Sequence, residues 1–169
     1  MDFTQIEHLI ELKGRFYVLI GIRKNRPLVT PYFKISLSKE DLSVLKELQS
    51  EIGGEIKKRK TTIYLEIRRI LDCKKVLSFL SNPFLPSVKN KVEKWRRVVE
   101  MVDKGDHLTK NGFLEICEIV EEMEREKIRE KFEKMIDEGK IKFDEEKVKI
   151  WKKISKSKRL MSEFQTKFT

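Results

Sequence analysis

Up to residue 69 the apolar positions of this chain pass between strand-like runs and short helical stripes, and beyond it they fall at helical spacing. Residues 6–16 read as a short helix that runs through Gly14 into a strand. The stretch Arg15 to Lys24 is β-branched and aromatic, and Asn25-Arg26-Pro27 breaks it. Tyr32 to Leu37 then alternates polar and apolar, as a half-buried strand does. Ser38 stands where a helix cap belongs, with Glu40 and Asp41 in the first turn. Leu42, Leu45, Leu48 and Ile52 give that helix its apolar stripe, and Gly53-Gly54 ends it. Residues 55–60 and 62–69 predict a hairpin in which Ile63, Leu65 and Ile67 alternate with Tyr64, Glu66 and Arg68.

The helical part opens with a short segment, Asp72 to Leu80, closed by Asn82-Pro83. Ser87 is read as the cap of a longer helix carrying Val88, Val92, Trp95, Val98, Val99 and Val102. Thr109 is read as the cap of another, with Phe113, Leu114, Ile116, Ile119, Val120 and Met123 as a wide stripe. Glu121 to Lys140 is dense in charge around a thin line of Ile128, Phe132, Met135 and Ile136, which suits one helix stopped by Gly139. Glu145 to Phe168 predicts a basic helix with Val148, Trp151, Ile154 and Leu160, placed either to meet phosphates or to dock on the domain. A helix after each hairpin predicts an α+β fold: a four-stranded antiparallel sheet with helices on one face. The expected division is a domain over 1–125 and a charged helical extension over 126–169.

Composition sharpens this. The chain has 169 residues, 38 Lys+Arg against 28 Asp+Glu and a formal charge of +10, which favours a polyanionic partner. Nucleic acid leads, and an anionic membrane surface comes second. With 39% of residues charged, an ion-pair-rich surface accounts for part of the composition. Cys73 and Cys117 lie far apart in apolar helical settings and read as buried free thiols. No signal peptide and no apolar run near the about 20 residues of a membrane span are found, so the expectation is a soluble, cytoplasmic protein with no small-molecule substrate. His107 reads as a helix-entry residue, and His8 has no second ligand at i+4.

A sheet covered on one side has an open face, and the alternation says what it carries. That face should hold Arg15, Arg23, Lys34, Lys57, Arg59 and Arg68, interleaved with Tyr17, Tyr32 and Tyr64. If the third strand slips by one, Lys58 and Lys60 replace Lys57 and Arg59. Acids there are few, chiefly Glu55 and Glu66. Arg and Lys neutralise phosphates or pair with guanine edges, and a β-ribbon can enter the major groove. Tyrosines in such a face could instead stack single-stranded bases.

Residues 6–14, Ile-Glu-His-Leu-Ile-Glu-Leu-Lys-Gly, resemble a worn form of the LAGLIDADG motif of homing endonucleases. Asp41 to Leu45 followed by Ile52-Gly53-Gly54 is similar to the family's helix between hairpins. Asn82 to Lys89 with Trp95 resembles its "pL..K....w" segment, and Asp106 to Leu114 its "HLT.eGl..i" stretch. Together these cover about residues 5–123. The resemblance implies a saddle-shaped sheet lying along the DNA major groove, and two such domains working together. With one copy in this chain, a homodimer through the residue 4–13 helix is what the resemblance implies.

Two departures bear on chemistry. Where the family carries the acid that holds metal ions, this chain has Lys13, and where it has small residues in the helix–helix seam, this chain has Glu7 and His8. An ammonium in a metal site removes a ligand and adds repulsion on the order of several kcal/mol at short range. The same ammonium pairs well with a phosphate. Glu11 matches the motif's earlier, chiefly structural acid, and Lys89 matches the basic residue that the family uses at the cleavage transition state. The reading is a sequence-specific duplex-DNA-binding protein, a regulator without cleavage, needing no metal or cofactor. Its contacts are expected at Lys13, Arg15, Tyr17, Arg23, Lys34, Lys57, Arg59, Tyr64, Arg68 and Lys89. The alternatives are an active endonuclease, with Mg²⁺ and a role for Glu11 and Lys89, and an RNA-binding maturase-like protein.

Overall fold

The computed structural model describes residues 1–83 and 85–154. Phe84, Leu160 and Phe168, which the sequence reading used, lie outside the described residues. The elements run α1 (Phe3–Lys13), β1 (Gly14–Arg23), β2 (Arg26–Ser38), a 3-10 turn (Lys39–Asp41), α2 (Leu42–Ile52), β3 (Glu55–Lys58), β4 (Thr62–Ile67) and α3 (Ile70–Ser78). They continue with α4 (Pro86–Asp103), a 3-10 turn (Asp106–Leu108), α5 (Lys110–Glu124), α6 (Arg129–Asp137) and α7 (Glu145–Ile154). The fold is α+β, and its four strands form one antiparallel sheet in the order β1-β2-β4-β3. By its contacts the chain forms two compact units, residues 1–17 with 31–96, and residues 18–30 with 97–169.

The first hairpin differs from the expectation at Pro27. The turn is Lys24-Asn25, both residues in the left-handed region (φ 52° and 62°), and β2 starts straight after it. Two positive φ values in a two-residue loop match the twist of the paired strands. Pro27 and Pro31 therefore sit inside β2, not in a break. Both precede Phe33, where β2 begins to pair with β4, so neither is asked for a hydrogen bond to β4. The third strand is also shorter than expected, ending at Lys58, with Arg59 N–H closing the turn onto Thr62 O at 2.8 Å.

In the first unit the inward rows of the strands, Phe16, Phe33, Ile35, Ile63, Leu65 and Ile67, are buried. Ile6 and Ile10 of α1 and Leu45, Leu48 and Ile52 of α2 are buried with them. Trp95 of α4 is buried, stands 5.1 Å from Phe16 edge to face, and donates its indole N–H to Tyr17 O at 3.0 Å. The caps differ in part from the sequence reading. Ser38 precedes a 3-10 turn and caps no helix, since its hydroxyl bonds Asp41 at 3.1 Å. Ser87 lies inside α4, which starts at Pro86, where a proline loses no intrahelical donor. Asp2 and Gln5 form a capping box on α1 that the reading missed. Gly14 is needed for close approach, because a Cβ there would come within 2.5 Å of the Phe33 ring. Gly14→Ala should therefore cost about 1–3 kcal/mol, read as a lower urea midpoint at unchanged slope.

In the second unit Thr109 does cap α5, its hydroxyl accepting Gly112 N–H at 3.1 Å. The single helix expected over Glu121 to Lys140 is two helices. Arg125 turns left-handed at φ 55°, and the Glu121 carboxylate accepts the N–H groups of Arg129 (2.5 Å) and Ile128 (2.7 Å) at the start of α6. Those two backbone donors hold the Glu121 carboxyl below its ordinary range. Phe113 meets Phe132 edge to face at 5.5 Å, and Gly139 (φ 74°) follows the end of α6 as expected. In α7 the apolar side docks: Val148 is buried with Leu108, and Trp151 packs against them. Cys73 and Cys117, one in each unit, are free and buried, and burial pushes both thiols up to about 12.

His107 lies in the 3-10 turn before α5, 2% exposed, and its Nδ1 has no hydrogen-bond partner among the described residues. Burial, against the pull of Asp106 and with the push of Lys152, lowers its pKa to about 4. The unfolded chain then binds a proton that the folded chain refuses between pH 6.5 and 4, so stability falls as pH drops through that window. From pH 7 to pH 5 the loss should be about 2 kcal/mol. Urea titrations of His107→Leu should show that fall flattened; an equally steep fall in the variant would assign it to other groups.

Candidate nucleic-acid interface

The outward face of the sheet in the first unit follows from register. Lys34 stands opposite Glu66 and Ser36 opposite Tyr64 across β2 and β4, while β3 sets Glu55 against Glu66 and Lys57 against Tyr64. Of the two expected registers for β3, the one placing Lys57 with Tyr64 is realised, and Lys58 instead pairs with Ile63 of the buried row.

The tyrosines of this face are occupied. Tyr17 stacks on Tyr32 at 4.9 Å with 23° between planes, and the Arg68 guanidinium lies over Tyr32 at 4.9 Å. Tyr64 carries Lys34 at 4.1 Å and Arg59 at 5.1 Å from its centroid. Cations held over aromatic rings keep their charge outward while their stems are fixed.

Glu66 is what sequence reasoning undervalued. Its side chain is 8% exposed, it is ion-paired to Arg68 through Nε, and Lys57 Nζ stands at 3.5 Å. Burial opposes its ionisation, but the bonds and charges of Arg68 and Lys57 prevail and hold its pKa below the ordinary value. Its contribution to stability is thus present above about pH 4.5 and lost as pH falls through the lowered folded value. Glu66 also lines a cleft with Glu55, Lys57, Arg68, Arg69 and Asp72. This corner of the face is close to charge-balanced, for Asp72 pairs with Arg69 at 4.0 Å and Lys75 at 3.8 Å. The only signal in sequence was the i, i+2, i+4 series Tyr64, Glu66, Arg68.

In α1, the surroundings of Glu11 and Lys13 differ sharply. Glu11 is buried, and its carboxylate accepts Leu85 N–H at 2.5 Å, just before α4. A charged acceptor on an otherwise orphaned helix-start donor explains the acid at this position. Glu11→Ala, which removes the acceptor, should cost about 1.5–3 kcal/mol, seen in thermal or urea unfolding. Lys13 is exposed in the last turn of α1, where a cation suits the helix dipole, and it makes no hydrogen bond or ion pair among the described residues. Arg15 is exposed, and so is Lys89 in the first turn of α4. Arg23 is exposed at the end of β1 and belongs to the second unit. His8 is exposed and Glu7 half-buried. A divalent cation does not fit these residues: position 13 offers an ammonium, Glu11 is engaged by backbone, and Glu66 by two cations. Among the described residues no group of three or more His, Cys, Asp or Glu side chains is placed to hold a metal ion.

Comparison with known proteins bears on this arrangement. The model of the LAGLIDADG endonuclease family matches residues 9–99, more than half of the chain. The chain belongs to the LAGLIDADG endonuclease family. It is similar to the homing endonuclease I-TnaI, with 30% identity over 82% of this chain and 98% of that one, at a TM-score of 0.68. Two more distant likenesses concern the fold alone. I-SmaMI, bound to uncleaved DNA target in the presence of calcium ions, is 23% identical over 77% of this chain at a TM-score of 0.69. I-GzeII, in complex with its DNA target, is 20% identical over 73% at 0.66. The chain spans about half the length of these two, 47% and 45%. None of the curated proteins compared with it matches. Within this LAGLIDADG chain, Glu11 is thus buried against the start of α4 and Lys13 exposed two positions later. No helix among the described residues is long and apolar enough to cross a membrane.

Proposed function

We propose that this LAGLIDADG chain is a sequence-specific double-stranded DNA-binding protein that does not cleave, acting as a regulator. The observation that carries the reading is Lys13: an exposed ammonium without a partner among the described residues, at the motif position of the metal-binding acid. There it holds a phosphate in place of the metal that would bridge one. The outward sheet face supplies the remaining contacts, Arg15, Tyr17, Lys34, Lys57, Arg59, Tyr64 and Arg68, with Arg23 and Lys89 as further cationic positions. Duplex is favoured over single strands because the tyrosine faces are already stacked on one another or on cations, which leaves few platforms for bases. The DNA-bound states of I-SmaMI and I-GzeII, which share the fold, support the same partner.

Two further features belong to this reading. A homodimer through α1 would use a helix on which Leu12 stays 69% exposed, in a seam loosened by Glu7 and His8. The free buried thiols suit a cytoplasmic setting. The binding domain is taken as residues 1–125, with 126–169 an appended extension.

Anisotropy titrations against duplex DNA, single strands and structured RNA at several salt concentrations test the proposal. A duplex preference that survives raised salt is expected; a steep salt dependence with no preference, or a preference for RNA, would overturn it. The second reading, an active metal-dependent endonuclease, is favoured by the likeness to I-TnaI over nearly its whole length.

A further inference from the structure

Arg68 is held more firmly than a phosphate contact requires. Its Nε–H donates to the Glu66 carboxylate, and its guanidinium carbon lies 4.9 Å from the centre of the Tyr32 ring, itself stacked on Tyr17. Glu66 is fixed in turn by burial and by Lys57. Yet the Arg68 side chain is 51% exposed, and its two terminal amino groups make no hydrogen bond among the described residues. Grip at Nε and at the ring face leaves the end-on pair of N–H donors, in one plane, as the free end of the side chain.

That arrangement costs charge and gains direction. A carboxylate beside the guanidinium weakens its pull on a phosphate, which needs charge and little orientation. Two parallel donors of fixed plane match the O6 and N7 acceptors of guanine in the major groove. Adenine offers N7 but sets an N6 donor against the second N–H, and so is refused. Glu66 cannot itself accept from cytosine, because both its oxygens face cations and it is buried. We infer that Arg68 determines specificity by reading a guanine edge, with Glu66 as the residue that positions it. This rests on the duplex-binding reading above and names one contact within it.

The test is selection of bound sites from a random duplex pool by the full chain and two variants, with folding checked by circular dichroism. Wild type should select a site with one guanine whose replacement weakens binding about tenfold to a hundredfold. Arg68→Ala, which removes the donor pair, should erase that preference and leave the other selected positions unchanged. Glu66→Gln should relax the same position and raise affinity for unselected duplex, since it removes a negative charge. If Arg68→Ala selects the same site as wild type, Arg68 does not read a base. If Glu66→Gln weakens every position alike, its role is structural and the positioning assignment fails. If wild type selects no sequence at all, the failure lies with the duplex reading itself.

Discussion

Trp95→Ala loses about 3–5 kcal/mol of stability, the usual range for emptying a fully buried aromatic site. Trp95 is buried against Phe16, and its indole N–H satisfies Tyr17 O, so truncation leaves both a cavity and an orphaned carbonyl. A domain holds about 5–15 kcal/mol in all, so the variant should be partly unfolded at ordinary temperature. Urea unfolding followed by circular dichroism reads the loss directly. A change below about 1 kcal/mol would mean that this packing is wrong.

The second large effect is on binding. Arg15→Ala, Lys34→Ala and Arg59→Ala together remove three outward cations of the first unit while touching none of its buried residues. At about 0.9 in log–log slope per phosphate contact, the triple variant should bind duplex about a hundredfold more weakly near 0.15 M salt. Its salt slope should be shallower by about three. Unchanged slope and affinity would place the DNA elsewhere. Lys34 and Arg59 also lie on Tyr64, so a thermal melt should accompany the titration to separate loss of contact from loss of fold.

What the sequence made legible was what depends on short-range pattern. Ile63, Leu65 and Ile67 alternate because one side of β4 is core, and the same alternation placed Tyr64 and Arg68 outward. The family could be read because four short motifs stand in order, the last of them holding Thr109, which does cap a helix. Pro27 misled because a proline breaks a strand only where its missing N–H would have bonded, and that depends on which neighbour lies alongside. Arg125 misled because a left-handed residue need not be glycine when Glu121 satisfies the helix start beyond it. The clamp on Arg68 was hidden for a further reason: it needs the register of three strands, which brings Glu66 beside Lys34 and Glu55 and beneath Lys57.

The question of cutting turns on Lys13. The most direct measurement incubates the full chain with supercoiled plasmid carrying its selected site, with Mg²⁺ or Mn²⁺, and follows binding and nicking together. Bound, intact plasmid is the predicted result, with nicking gained when Lys13→Asp restores the acid. Metal-dependent cutting by the wild-type chain that disappears in Lys13→Ala would contradict the account.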